Sequence, residues 1–80
     1  MVKQPEKVSK HQGGAQSIRR TIAILRSVSK FNETGARLSK IAKDVALPAS
    51  TVHRILAVLL EEDFLVFKPM DRHYHLGTEL

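Results

Sequence analysis

Apolar residues recur along this chain in three helical rhythms followed by a short alternating one. Ile18, Ile22, Leu25 and Val28 lie three to four residues apart, the spacing of one helical face, and Ser17 ahead of them is a good N-cap. A first helix is therefore expected from Ser17, fading at Asn32-Glu33-Thr34-Gly35, where Asn and Gly supply turn-forming backbone. Leu38, Ile41, Ala42 and Val45 repeat the rhythm over barely two turns, with Ser39 as N-cap. Ala46-Leu47-Pro48 interrupts it. Pro48 suits the opening of a new helix, where its missing N–H would be unsatisfied in any case. The third helix, Ala49 to Glu62, carries Val52, Ile55, Leu56, Leu59 and Leu60 on one face, the strongest periodic signal in the chain.

Asp63 can take the left-handed conformation that often ends a helix. Leu65-Val66-Phe67 then reads as a strand, Pro69-Met70-Asp71-Arg72 as a turn and Tyr74-His75-Leu76 as a returning strand closed at Gly77. The expected fold is mainly α with a small β-hairpin: a three-helix bundle plus a wing, or winged helix-turn-helix. Residues 17–78 would form this domain. Residues 1–16, polar and lysine-bearing, cannot bury enough surface to offset their ordering entropy and are expected to be a mobile basic arm.

Charge sharpens the picture. The 80 residues carry 13 Lys and Arg against 8 Asp and Glu, a net +5, which suits a polyanionic partner. Residues 1–43 hold ten basic and two acidic side chains, whereas 44–80 hold three and six. With no cysteine there is no disulfide framework or thiolate zinc site, and a reducing cytoplasm fits. The N-terminal stretch lacks the apolar run of a signal peptide, and no segment approaches the ~20 apolar residues that span a bilayer. A soluble protein of the bacterial cytoplasm and nucleoid is expected, with no membrane partner.

Two helices joined by a tight turn, the second with a polar outer face, are the arrangement that seats a helix in the DNA major groove. That face presents Ser50, Arg54, Ala57 and Glu61, flanked by Thr51 and His53. Its start is polar and basic, while Glu61, Glu62 and Asp63 at its end would repel phosphate. Arg54 has the fork geometry to bond guanine O6 and N7 together. Candidate base-reading residues are thus Ala49, Ser50, Thr51, His53 and Arg54. Candidate backbone contacts are Arg19, Arg20 and Arg26 on the first helix, Ser39, Lys40 and Lys43 on the second, and Lys68, Arg72 and His73 on the wing. For each of these the simpler alternative is a solvated charge; Arg19, Arg26 and Lys30 form one basic stripe to which this applies in particular.

Nothing supports catalysis: no nucleophile with a positioned base, no glycine-rich phosphate loop and no paired carboxylates in a cleft can be identified, so an enzyme is not expected. His73 and His75 share one side of a strand, but two ligands do not make a metal site, and neither metal nor cofactor is expected. The competing reading is a protein-interaction module without DNA binding, marked by an exposed apolar patch to which Phe31, Phe64, Val66 and Met70 would contribute.

Ser17-Ile-Arg-Arg20 with Ile24-Leu25, then Leu38-Ser39-Lys-Ile41-Ala42, then Leu47-Pro48-Ala-Ser50-Thr51-Val52-His53-Arg54-Ile55-Leu56, and finally Tyr74-His-Leu76-Gly77 occur in one order. Together they resemble the N-terminal domain of the IclR family of bacterial transcriptional regulators, over roughly residues 15–78. The resemblance implies binding to a palindromic operator as a homodimer, with Ser50, Thr51 and Arg54 at the recognition positions. It also implies that residues 79–80 begin a linker to a larger domain, absent here, that binds a small-molecule effector. Two positions depart from the family pattern: Ala46 and Asp63 stand where glycine is usual, each costing ~1 kcal/mol if left-handed.

Overall fold

A computed structural model describes residues 13–77, and the expected arm (residues 1–12 of it) and linker lie outside the described residues. Three helices, α1 (Gly13–Lys30), α2 (Leu38–Val45) and α3 (Ala49–Glu61), are followed by a hairpin of β1 (Leu65–Lys68) and β2 (His73–Leu76). This is the winged helix-turn-helix that the pattern predicts.

Helix starts are where expectation and structure part. α1 begins at Gly13, one turn earlier than a Ser17 cap allows, so residues 13–16 of the expected arm are helical. Ser17 lies inside the helix, where its carbonyl accepts a hydrogen bond from Thr21 Oγ1 at 2.9 Å. Ser39 does not cap α2 either: the capping position falls to Arg37, in extended conformation and without a side-chain cap bond, and Ser39 sits in the first turn. Pro48, likewise extended, holds the capping position of α3 just outside the helix. A serine near a helix start is a signal with an uncertainty of a few residues, because the register is decided by which apolar residues the body buries.

That body is built on Ile24, Val28, Ile41, Val52 and Leu56, all at 0% exposure, closed by Ala36, Leu59, Leu65 and Tyr74. On α1 the buried line is Ile24 and Val28, with Leu25 and Phe31 packed against the core, so of the expected Ile18, Ile22, Leu25 and Val28 the last two face inward and the first two do not. Ile18 and Ile22 are exposed at 63% and 44%. The helix is 18 residues long, ~27 Å at 1.5 Å per residue, against ~12 Å for the eight residues of α2, and only its C-terminal half meets the core.

α2 and α3 end in the same way. Ala46 is left-handed (φ 58°); its N–H donates to the Lys43 carbonyl at 3.3 Å, and the next N–H, of Leu47, donates to Ala42 at 3.1 Å. Asp63 (φ 65°) repeats this, its N–H donating to Leu60 at 3.1 Å and that of Phe64 to Leu59 at 2.9 Å. The paired bonds satisfy last-turn carbonyls that would otherwise lack donors, and in each case an apolar residue, Leu47 or Phe64, folds back onto the core.

In the wing, β1 and β2 pair antiparallel with Leu65 opposite Leu76 and Lys68 opposite His73, each strand one residue longer at the tip than the apolar pattern shows. The wing is fastened at its root. Ala36, in the segment between α1 and α2, exchanges two backbone bonds with Tyr74, at 3.2 and 2.7 Å, and the Gly77 N–H donates to Phe64 at 2.8 Å. Gly35 makes the approach possible: its φ is +86°, and a Cβ there would fall 2.5 Å from His75 Nε2 and 2.7 Å from His73 Cβ.

Candidate nucleic-acid interface

The stripe that buries Val52, Leu56 and Leu59 fixes the rotation of α3 about its own axis. Ser50, His53, Arg54 and Ala57 consequently face outward, Ala49 is exposed at the first turn, and Thr51 is half-buried at the margin. The five candidate base readers thus lie on one end of one helix, with its free N–H groups beside them. Glu61, Glu62 and Asp63 occupy the opposite end, also exposed. An anionic duplex is therefore favoured at the N-terminal end and repelled at the other.

The candidate backbone contacts divide into two groups. Arg26, Ser39, Lys43, Lys68 and Arg72 are exposed, Arg19 is exposed with a contact to other protein groups, and Arg20 is half-buried. Others are engaged within the protein. Lys30 Nζ donates to Asp44 Oδ1 at 2.8 Å, joining α1 to α2, which removes it from the expected basic stripe. That bond and the nearby hydroxyl of the buried Ser27 hold the Asp44 carboxyl below its ordinary range, against a smaller opposing effect of desolvation. The Lys40 ammonium sits 4.3 Å from the centroid of the Phe31 ring, with Lys30 at 5.4 Å from the same ring.

His73 Nδ1 lies 3.1 Å from Asp71 Oδ2, a charge pair when the imidazole is protonated, although no hydrogen bond is well aligned. Desolvation would raise the Asp71 carboxyl, but His73 outweighs it and holds the group below its ordinary range. His75 bonds through Nδ1 to the Asn32 carbonyl at 3.1 Å, while the Asn32 side chain accepts the Leu76 N–H at 2.7 Å. The two histidines thus have separate partners, His73 within the wing turn and His75 in the segment after α1, and among the described residues no group of three or more His, Cys, Asp or Glu side chains could hold a metal ion.

Two of the candidates meet in a cleft between the start of α2 and the wing. It measures about 390 Å³ and is lined by Arg37, Leu38, Ser39, Phe67, Arg72 and Tyr74. Ser39 and Arg72 are expected backbone contacts; Arg37, at the capping position of α2, is a further basic residue that no apolar spacing marks. The Phe67 and Tyr74 rings, 4.8 Å apart, form its apolar wall, and burial pushes the Tyr74 hydroxyl pKa upward. Of the apolar patch expected for an interaction module, Phe31 and Phe64 are half-buried against the core, while Val66 and Met70 are exposed.

A three-helix body with a wing and an outward-facing polar start to α3 defines a DNA-binding helix-turn-helix domain of the transcription-regulator class. The chain belongs to the IclR helix-turn-helix family, whose domain it matches over residues 17–69. It is similar to the crystal structure of Pseudomonas aeruginosa HmgR, with 34% identity and a TM-score of 0.72, over 80% of this chain and 27% of that one. An IclR transcriptional regulator from Alicyclobacillus acidocaldarius is similar at 28% identity and TM-score 0.73, over 80% of this chain and 26% of its own. The chain thus spans about a quarter of the length of these solved structures. No curated protein matches it. The family is one of DNA-binding regulators rather than enzymes, and among the described residues no helix is long and apolar enough to cross a membrane.

Proposed function

We propose that this domain reads a specific double-stranded operator, with α3 in the major groove and the wing and helix ends on the phosphate backbone, as the recognition module of a bacterial regulator working in the cytoplasm. The observation that carries this reading is the outward-facing cluster of Ser50, His53 and Arg54 at the start of a helix whose other face buries Val52, Leu56 and Leu59 in the core. Arg54 contacts base edges, Ala49, Ser50, Thr51 and His53 complete the reading surface, and Arg19, Arg20, Arg26, Ser39, Lys40, Lys43, Lys68, Arg72 and His73 supply backbone contacts. A homodimer on a palindromic site fits a domain with a single recognition helix, and the exposed Ile18 and Ile22 on α1 offer apolar surface for such pairing. Control by a small metabolite belongs to a further domain of the kind the family resemblance implies.

The test is fluorescence anisotropy of the chain against random duplex DNA and against a selected pool, from ~50 to ~200 mM salt, where each phosphate contact contributes about 0.9 to the log–log slope. Steep salt dependence and enrichment of a palindrome are expected. Absence of binding at the lowest salt overturns the reading in favour of a protein-interaction role for the exposed Val66 and Met70.

A further inference from the structure

The outward face of α3 holds more than the polar cluster assigned to base reading. Ser50, His53 and Arg54 stand at relative positions i, i+3 and i+4, and the position that completes this one-sided spacing, i+7, is Ala57. Ala57 is exposed, and Val58 beside it, one turn on from Arg54, is exposed at 55%. The next two residues are apolar as well, but Leu59 is buried and Leu60 packs against the core. Val58 therefore does not contribute to the core as its neighbours do. Nor does it favour the helix, since a β-branched side chain in a helix interior is slightly less favourable than Ala, Lys or Glu at the same place. Stability thus does not account for an exposed valine in the body of the recognition helix.

Position and chemistry narrow what this pair meets. Ser50 and Ala57 lie ~10.5 Å apart along the helix axis, a reach comparable to the ~12 Å width of the B-DNA major groove. Glu61, on the same face, lies ~6 Å further on, where phosphate repels an acidic side chain. Ala57 and Val58 are therefore the last side chains of the face that fit beside the bases. Neither can donate or accept a hydrogen bond through its side chain. In the major groove the base-pair edges carry donors, acceptors and one apolar substituent, the 5-methyl group of thymine. An apolar side chain at this place has that one favourable counterpart.

We propose that Ala57, flanked by Val58, is a further specificity-determining position, which takes the 5-methyl group of a thymine next to the base pair that Arg54 reads. The inference rests on the DNA-binding reading above and deepens it by assigning one base of the operator through its chemistry. Ser50, His53 and Arg54 supply the polar contacts. The apolar pair closes the end of the reading face against water and selects thymine over cytosine, whose edge lacks the methyl. A cytosine methylated at carbon 5 offers the same group at the same place.

The test uses duplexes selected by the chain, in which each thymine in turn is replaced by deoxyuridine, a change that removes only the methyl group, with anisotropy as the readout. At one thymine in each half-site the replacement is expected to weaken binding about fourfold, the loss of one buried methyl, while a random duplex is unaffected. Val58→Ala and Ala57→Ser are then compared with the unaltered chain on the same duplexes. Val58→Ala is expected to unfold in urea at the same or a higher midpoint, since alanine favours the helix, yet to bind the thymine duplex more weakly. In Ala57→Ser the deoxyuridine penalty is expected to shrink toward none, because a hydroxyl gains nothing from a methyl group. The log–log salt slope is expected to stay the same in both variants, since no phosphate contact is lost. Binding to selected duplexes in which no thymine responds to loss of its methyl overturns the assignment and leaves the DNA-binding reading standing, as does a methyl penalty that neither variant reduces. No binding to any duplex at the lowest salt overturns both.

Discussion

Arg54 is the side chain on which sequence discrimination is expected to depend. Replacing it with Ala should cost about 1–3 kcal/mol on the preferred duplex and relax discrimination at one base pair, measured against a panel of single-base operator variants. Equal weakening on every duplex would place Arg54 on phosphate instead. Asp44 carries the clearest pH dependence. Its carboxyl is held below the ordinary 3.8 by Lys30 and Ser27, so ionisation favours the folded state. The contribution is present above 3.8 and is lost as pH falls through the lower folded value. Urea midpoints should therefore drop as pH falls below 3.8, and Lys30→Met should flatten that drop. An identical acid limb in the variant would show that the Lys30–Asp44 bond does not contribute. These pairings were hidden from the sequence: Lys30 and Arg26 look alike on a helical wheel, and only the packing of α1 on α2 decides that one of them meets a carboxylate.

At the scale of elements, the left-handed helix ends give the most direct expectation. Ala46 and Asp63 hold φ values of 58° and 65°, conformations that an L side chain adopts at a cost. Ala46→Gly should stabilise the domain by roughly 0.5–1 kcal/mol in urea unfolding, the relief of left-handed strain exceeding the entropy that glycine adds to the unfolded chain. A loss of stability would mean that the Ala46 methyl contributes more than the strain removes. On α1, Ile24→Ala should cost about 2–5 kcal/mol, whereas Ile22→Ala should change monomer stability by no more than about 0.5. The contrast shows how far the sequence carried. Periodicity located each helix and strand among the described residues, because apolar spacing reflects the core directly. On α1 it pointed to Ile18 and Ile22 where the core takes Ile24, since both lines are helical spacings that converge near Leu25 and Val28 and the choice depends on where α2 and α3 lie. The same limit applies to Arg37: its place beside Arg72 depends on the wing folding back, a contact between distant parts of the chain that no local pattern records.

Across the whole molecule, charge is arranged rather than merely abundant. The basic excess of residues 1–43 and the acidic end of α3 give the domain an orientation toward a polyanion before any specific contact forms. In the anisotropy experiment proposed above, this predicts faster association at lower salt on any duplex, with the selected sequence distinguished mainly by slower dissociation. Equal dissociation rates on random and selected duplexes would speak against base reading by α3. The surface that orients the domain was legible from composition; the fixed angle between wing and recognition helix was not, because it depends on Gly35 admitting β2 against the end of α1.

The backbone exchange between Ala36 and Tyr74 also shapes how this fold is reached. The helices are made from neighbours in sequence and can assemble early, whereas this bond pair closes a stretch running through α2, α3 and β1 and has no strand to join until those are in place. The wing is thus the last part to be secured, and the correct angle between reading helix and backbone grip is itself a marker of complete folding: a chain stalled before that closure would retain a helix with the right face but lack the frame that holds it against DNA.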